Sequence, residues 1–230
     1  DIYRDVPFES LYELWLKYDH YKWRLMRCSK SSEENITGSS SPYEKFLTYT
    51  NNLAGAVNNP LYLWSHLELK KYFKITLPIT PQTAPKIWDE VNEKLKQTKL
   101  SPRKCLEMSK VEVVFTTDDI MSELEYHKLL KEEQYKVKVL PTFRGDRALS
   151  INQTLLIQLE KKYNKKIKNL EEYLSLVKKR IDYFSDNGAK ASDFAMEDMP
   201  SSIISKTTAQ ELFQTFLKNK TIERRKKKDL

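Results

Sequence analysis

Two groups of polar side chains stand directly after the two most strand-like runs of this sequence. Thr116–Asp119 reads Thr-Thr-Asp-Asp after the first run, and Thr142, Arg144 and Asp146 follow the second. In parallel α/β folds, the residues at the carboxyl ends of the strands carry the chemistry. A guanidinium binds a carboxylate through two parallel hydrogen bonds, so Arg144 is a candidate for holding an anionic or polar group of a ligand.

Each of these residues also has a purely structural interpretation, which the sequence leaves open. Asp118 or Asp119 is of the type that caps the helix expected next in the chain. Arg144 can form a salt bridge with Asp146 or Asp118, and ion pairs of this kind are often only structural.

A third polar group lies inside a helical pattern that spans residues 8–27. There His20 and Tyr21 are adjacent, and Arg24 follows one turn later. Histidine titrates near neutral pH and a neighbouring tyrosine can donate or relay a proton, so the pair is a candidate for proton transfer. The alternative is that His20 is a core histidine whose hydrogen bonds are satisfied within the fold.

The elements that must position these residues are short parallel strands joined by helices. β-branched and aromatic runs at residues 111–115 and 137–140 flank a helical pattern at 121–133, which predicts a βαβ unit with the second strand ended by Pro141. The patch 189–191 is a candidate third strand, with Asp193 at its carboxyl end. The predicted fold is therefore helix-rich α/β with about three parallel strands.

Helical periodicity and capping residues predict the other elements. The predicted helices cover residues 8–27, 43–53 and 61–73, begin near 80–83 and 101–102, and cover 151–184 and 207–217. The pattern 151–184 is interrupted near Asn164, where we expect a bend or a turn between two helices. We divide the chain into a helical region 1–110, strand-helix units 111–199, and a helix with a basic tail 200–230.

Several segments, in their order along the chain, resemble the uronate (glucuronate) isomerase family. The segments are TTDD (116–119), LEYH (124–127), VLPTFRGD (139–146), DHYKWRLMR (19–27), NPLYLWSHLELKKYF (59–73) and GAKASDF (188–194). The resemblance implies part of an amidohydrolase-type TIM (β/α)8 barrel, with the helical region 1–110 as the family's insertion after the first barrel strand. It also implies an enzyme of glucuronate catabolism, an aldose–ketose isomerase that interconverts D-glucuronate and D-fructuronate.

The resemblance assigns roles to individual residues. It makes His20, Tyr21 and Asp193 catalytic, and it makes Arg144, Arg24 and Asp146 substrate-binding. The chain departs from the family pattern at three positions, where Leu63 and Phe194 replace histidines and Gly145 replaces a proline. We interpret the helix that contains Leu63 and His66 as a packing element.

The family implies a divalent, zinc-like metal, but we identify no ligand set for it in this chain. The sequence contains no His-x-His pair, no HExxH motif and no Cys/His cluster. The chain begins with Asp1 and covers only some of the expected barrel strands, so we expect a truncated or split enzyme. The alternative is a non-catalytic helical α/β module, derived from such an enzyme, that associates through exposed barrel edges with itself or with another chain.

Composition and charge limit the other function classes. With 40% hydrophobic and 11% aromatic residues, the 230-residue chain is typical of a folded protein, and it has no membrane-spanning run. The net charge is +8, of which the tail 221–230 supplies +3, so the remaining charge is dispersed and argues against nucleic-acid binding. Cys28 and Cys105 form no metal or disulfide motif, which favours free thiols in the cytoplasm.

Overall fold

The computed structural model describes residues 2–195 and 203–219. The chain divides into two compact units, Asp1–Lys110 and Val111–Leu230. The predicted basic tail, residues 221–230, lies outside the described residues. In the part of the chain that the structure describes, no helix is both long enough and apolar enough to cross a membrane.

The first unit is helical. Its helices are α1 Leu11–Trp15, α2 His20–Cys28, α3 Pro42–Ala54, α4 Pro60–Phe73, α5 Ala84–Thr98 and α6 Pro102–Met108, with a 3₁₀ turn at Glu33–Asn35. Prolines occupy the first turn of α3, α4 and α6, and the side chains of Ser41, Asn59 and Ser101 cap these helices. A proline at this position loses no helical hydrogen bond, and a side-chain oxygen accepts from an N–H group that the helix leaves unpaired.

The helix predicted at residues 8–27 is in fact two helices. The carboxylate of Asp19 accepts hydrogen bonds from the N–H groups of Tyr21 over 3.0 Å and of Lys22 over 3.2 Å, and so begins α2. Apolar residues recur at steps of three and four on both sides of this break, so the periodicity alone does not show it. Because of the break, His20 and Tyr21 lie in the first turn of a helix.

The second unit contains a three-stranded sheet and helices. Its elements are β1 Val113–Asp119, α7 Glu125–Glu132, β2 Lys138–Arg144, α8 Asp146–Leu149, α9 Gln153–Tyr163, α10 Leu170–Asp186, β3 Ser192–Asp193 and α11 Lys206–Asn219. The strand order is β1-β2-β3, and both pairings are parallel. The predicted helix-rich α/β fold with three parallel strands is confirmed. The predicted turn at Asn164 is also correct, because this residue ends α9 in a left-handed conformation.

The register of the sheet determines which side chains share a face. Asp119 pairs with Arg144, and Arg144 pairs with Asp193. Side chains alternate along a strand, so residues opposite each other point to the same face. We call this the site face; its members are Val113, Phe115, Thr117, Asp119, Lys138, Leu140, Thr142, Arg144 and Asp193. On the opposite face, Phe143 packs edge-on against Phe184 of α10, with ring centroids 5.3 Å apart.

The first two strands extend further than the sequence predicts. Thr116–Asp119 belongs to β1 instead of following it, and β2 continues through Pro141 to Arg144. The backbone N–H of Phe143 points toward β3, and so does the nitrogen of Pro141, two residues earlier. Proline is tolerated at 141 because the pairing of β2 with β3 begins only at Phe143, so no hydrogen bond between strands is lost. The third strand is Ser192–Asp193 instead of 189–191. Neither Asp118 nor Asp119 caps α7, which begins at Glu125 without a side-chain cap.

Candidate active site

The polar ends of the three strands lie side by side on the site face. In the sheet register, Arg144 stands between Asp119 on one side and Asp193 on the other. Thr117, two residues before Asp119 and on the same face, donates a hydrogen bond from Oγ1 to the carboxylate of Asp193 over 3.4 Å. The sheet thus brings a cation, two carboxylates and a hydroxyl together at its carboxyl edge.

Arg144 is held in place by Asp146. Its Nε donates to one carboxylate oxygen of Asp146, and the other oxygen accepts the N–H of Ala195 over 2.6 Å. The hydrogen bond to Arg144 lowers the pKa of Asp146, and the same bond raises the pKa of Arg144. The Arg144 side chain is 45% exposed, and among the described residues its terminal nitrogens have no hydrogen-bond partner. The expected salt bridge therefore exists and leaves the forked end of the guanidinium available to a ligand.

Arg147 is a residue of this edge that the sequence interpretation missed. Its Nη1 lies 2.7 Å from the carboxylate of Asp119, and its Nη2 donates to Gln158. The sequence gives no signal for this contact, because it depends on the turn of α8 directly after β2. Asp119 is therefore already paired with a cation.

Asp118 does not belong to the site face. It lies on the opposite face of β1, where its carboxylate accepts from Thr116 Oγ1 over 2.6 Å and lies 3.6 Å from Nε2 of His127. The same Thr116 oxygen lies 2.7 Å from His127 Nε2. Burial lowers the pKa of His127, and Asp118 acts in the opposite direction. Strand alternation would have separated Asp118 from Asp119 if β1 had been predicted to its full length.

His20, Tyr21 and Arg24 lie together on α2 in the first unit, and all three are exposed. The rings of His20 and Tyr21 are stacked, with centroids 4.2 Å apart and an angle of 33° between the planes. The Asp19 cap fixes the helix turn that carries them, and the buried Lys22 pairs with Asp19 over 3.0 Å. His20 is thus not a core histidine, and its imidazole is accessible to a ligand.

His66 has a structural role in the first unit. Its Nδ1 lies 2.7 Å from the carbonyl oxygen of Tyr62, and its Nε2 accepts the N–H of Ile79 over 2.9 Å. The first contact lies within α4, and the second joins α4 to the segment that precedes α5, so both ring nitrogens are used within the fold. This geometry agrees with the interpretation of α4 as a packing element.

A metal ion does not fit the described residues. Within residues 2–195 and 203–219, no three His, Cys, Asp or Glu side chains are grouped as metal ligands would be. The carboxylates at the sheet edge instead have partners within the protein. Asp119 is bonded to Arg147, Asp146 to Arg144 and the N–H of Ala195, and Asp193 to Thr117. No chemical step can be derived through a metal from these residues.

Comparisons with known proteins agree on one family. The family model described as glucuronate isomerase matches residues 1–230. The uronate isomerase of Caldicellulosiruptor bescii is 43% identical over an alignment 204 residues long, which covers 86% of this chain and 44% of that protein. The uronate isomerase of Oceanobacillus iheyensis is 35% identical over an alignment 234 residues long, which covers 100% of this chain and 50% of that protein.

Solved structures give the same result. The uronate isomerase of Thermotoga maritima superposes with a TM-score of 0.88 at 33% identity, over 100% of this chain and 51% of that one. The glucuronate isomerase of Caulobacter crescentus gives a TM-score of 0.84 at 18% identity, which shows a shared fold. This chain spans about half the length of the curated relatives it matches. The resemblance seen in the sequence is confirmed, and the chain belongs to the glucuronate isomerase family.

Proposed function

We propose that this chain supplies part of the sugar-acid site of a uronate isomerase that interconverts D-glucuronate and D-fructuronate. The observation that carries the proposal is the state of Arg144, whose Nε is bonded to Asp146 while its terminal nitrogens remain without partners among the described residues. A guanidinium fixed through Nε presents its forked end, which matches both oxygens of a carboxylate. Family membership supplies the substrate class.

Three other site-face side chains suit the hydroxyl groups of the same sugar. Asp193 and Thr117 are joined by a hydrogen bond, and Thr142 faces the same side of the sheet. Asp193 carries a negative charge and accepts hydrogen bonds, so it can hold a sugar hydroxyl or orient a catalytic base. In this proposal Asp146 acts by holding Arg144, because both of its oxygens are already used within the fold.

The reaction needs groups that carry protons. An aldose–ketose isomerisation moves hydrogen between C1 and C2 and moves protons between the oxygens on these carbons. The stacked and exposed His20 and Tyr21 are suited to that transfer, because an imidazole and a phenol can each both donate and accept a proton. For Arg24, one turn further along α2, we propose the substrate-binding role that the family resemblance assigns to it.

The family supplies a metal for the proposal, and the free thiols supply a cellular compartment. A divalent, zinc-like metal belongs to the proposal through the family alone, and none of the roles above depends on it. Cys28 and Cys105 are both free, which supports the proposal that the protein works in a reducing compartment such as the cytoplasm. We further propose that the helical first unit corresponds to an insertion after the first barrel strand.

A titration tests the carboxylate site directly. The chain is titrated with D-glucuronate and with D-glucose, which differ only at C6, and conversion of glucuronate is followed by NMR. We expect glucuronate to bind more tightly, and Arg144→Met to weaken its binding about 10- to 100-fold while glucose binding changes little. Equal binding of the two sugars, or an unchanged affinity in Arg144→Met, would contradict the proposal.

A second candidate function, a non-catalytic module that self-associates through its sheet, rests on a different observation. Val113 and Phe115 lie on the site face of β1 and expose 40% and 51% of their surfaces. Exposed apolar side chains on a strand at the end of the sheet favour association. Turnover of glucuronate by a chain that sediments as a monomer would contradict this candidate. Concentration-dependent assembly without turnover would support it.

A further inference from the structure

Gly145, directly after Arg144, is in very close contact with the aromatic ring of Phe194. A Cβ atom built on Gly145 would lie 2.0 Å from Cε1 of that ring and 2.5 Å from Cζ. Real Cβ atoms essentially never approach another heavy atom within 3.0 Å. The backbone of Gly145 has φ −91°, which every residue can adopt, and the three heavy atoms nearest to such a Cβ all belong to the Phe194 ring.

The chain is anchored on both sides of Phe194. Before it, the carbonyl of Asp193 accepts the N–H of Gly145 over 3.2 Å. After it, the N–H of Ala195 donates to the carboxylate of Asp146 over 2.6 Å. Residues 193, 194 and 195 therefore each contact the segment 144–146. Asp193 and Ala195 do so through hydrogen bonds, and Phe194 does so through its ring.

We infer that Phe194 is a positioning residue for Arg144, and that its contact with Gly145 sets how well the site distinguishes an anionic sugar from a neutral one. This inference rests on the proposed function. The ring limits the movement of the segment 144–146, and this segment carries both the guanidinium and the carboxylate of Asp146 that holds it. A guanidinium binds a carboxylate strongly only when both N–H···O bonds form in one plane, so a small loosening of this segment weakens the binding of an anion.

The contact has two halves, and each can be changed separately. Phe194→Ala removes the ring and leaves space above Gly145. Gly145→Ala keeps the ring but adds a methyl group where the ring lies, so the ring or the segment 144–146 must move. In the double variant the new methyl group occupies part of the space that the ring has left. The two single changes therefore act on one contact, and their effects cannot be independent.

The test measures a ratio of two affinities in the 230-residue chain: the Kd for D-glucose divided by the Kd for D-glucuronate. We expect Phe194→Ala and Gly145→Ala each to lower this ratio about tenfold, because a charged hydrogen-bond pair is loosened. Phe194→Leu, which keeps an apolar group on Gly145, should fall between Phe194→Ala and the unsubstituted chain. The double variant should be no worse than Phe194→Ala, whereas independent effects would multiply to about a hundredfold.

A matched control is Gly55→Ala. Its new Cβ would meet only the carbonyl oxygen of Asn52, at 3.9 Å, so the ratio should not change. Thermal unfolding of each variant confirms that it is folded. A general loss of structure weakens both sugars together and leaves the ratio unchanged, and that result in the two single variants would overturn the inference. A ratio near one in the unsubstituted chain would overturn the proposed function and this inference with it.

Discussion

Arg180 of α10 lies completely buried and donates from Nε to the carbonyl oxygen of Ile120 over 2.7 Å. Its Nη2 donates to the carbonyl of Ser122 over 2.6 Å, and its guanidinium lies 4.3 Å from the ring centroid of Tyr183. Tyr183 in turn donates its hydroxyl to the carbonyl of Glu123 over 2.6 Å. Two neighbouring side chains of α10 thus hold the loop that directly follows Asp119 of the site face.

Replacing Arg180 by methionine should therefore destabilise the second unit. Methionine fills similar space but leaves the carbonyls of Ile120 and Ser122 without their hydrogen-bond donors. Two buried carbonyl groups without a donor should lower the free energy of unfolding by about 2–4 kcal/mol in total. Urea denaturation followed by circular dichroism measures the loss. Amide hydrogen exchange should speed up in residues 120–123.

The control for Arg180 lies on the same helix. Lys178 pairs with Asp182 over 2.9 Å, but its side chain is 73% exposed. Such pairs contribute little because water and salt screen them, so Lys178→Met should change the free energy of unfolding by less than about 0.5 kcal/mol. If both variants lost the same stability, the carbonyl contacts of Arg180 would not be what holds the loop.

The capping of α2 gives a second prediction, which concerns the helix that carries His20 and Tyr21. Asp19 caps the helix and is also the ion-pair partner of Lys22, which is only 5% exposed. Asp19→Asn keeps a capping oxygen but removes the negative charge, so it leaves a buried ammonium without its ion pair. We expect Asp19→Asn to cost about 1–3 kcal/mol, and Asp19→Ala to cost about 1 kcal/mol more through the lost cap.

The comparison variant for Asp19 is Glu13→Gln on α1. Glu13 forms an i,i+4 pair with Lys17, whose side chain is 39% exposed. The loss there should be below about 0.5 kcal/mol. Tryptophan fluorescence during urea denaturation suits this test, because Trp15 and Trp23 lie close to both positions in the sequence. An Asp19→Asn variant as stable as Glu13→Gln would show that Lys22 does not depend on Asp19.

The helices follow from the sequence because their signals are local. Sequence pattern predicts α3 and α4, a capping serine predicts the start of α6, and Asn164 marks the turn between α9 and α10. The strands are harder, because β1 continues from an apolar run into Thr116–Asp119, whose polar side chains resemble a loop. These residues remain in the strand because backbone pairing with β2, which the sequence does not display, holds them there.

The candidate site follows from the sequence only in part. Strand-end position and family resemblance both pick out Arg144 and Asp193, which the register then places side by side. The sequence offers both Asp146 and Asp118 as partners of Arg144, and only the fold distinguishes them, because Asp118 lies on the opposite face of β1. The contacts of Arg147 with Asp119, and of Phe194 with Gly145, could not be predicted, since each depends on how two separate turns approach one another.

The pKa of His127 leads to a prediction about pH. Burial lowers this pKa below the ordinary value of 6.5, despite the nearby Asp118. The unfolded chain therefore binds a proton at a higher pH than the folded chain does. The contribution of neutral His127 to the free energy of unfolding is fully present above about pH 6.5. It is lost as the pH falls from 6.5 through the lower pKa that His127 has in the folded chain.

NMR titration of the imidazole should give a His127 midpoint below 6.5. Unfolding experiments at pH 7.5, 6.5 and 5.5 should show a decline in stability that His127→Gln reduces. The exposed His20 supplies the control, since His20→Gln should leave the decline in place. A midpoint above 6.5 would show that the charge of Asp118 outweighs burial.

The two cysteines should differ strongly in their reactivity toward thiol reagents. Both are free, but Cys28 is exposed whereas burial raises the pKa of Cys105 to about 11. The thiolate is the reactive form, and at pH 8 a thiol with that pKa is ionised in only about one molecule per thousand. Cys105 is only partly buried, so its raised pKa is what slows its reaction. We therefore expect one thiol per chain to react rapidly with a disulfide reagent, and the second far more slowly until the chain is unfolded.

Single substitutions assign the two reactions. Cys28→Ser should abolish the rapid reaction, and Cys105→Ser should leave it intact while removing the slow reaction. The slow rate of Cys105 should rise steeply as the pH approaches 11, because each pH unit multiplies its thiolate fraction about tenfold below the pKa. A rapid reaction that disappears in Cys105→Ser would mean that Cys105 is open to solvent. That result would contradict the burial that raises the pKa of Cys105. It would also contradict the packing of α6 in the first unit.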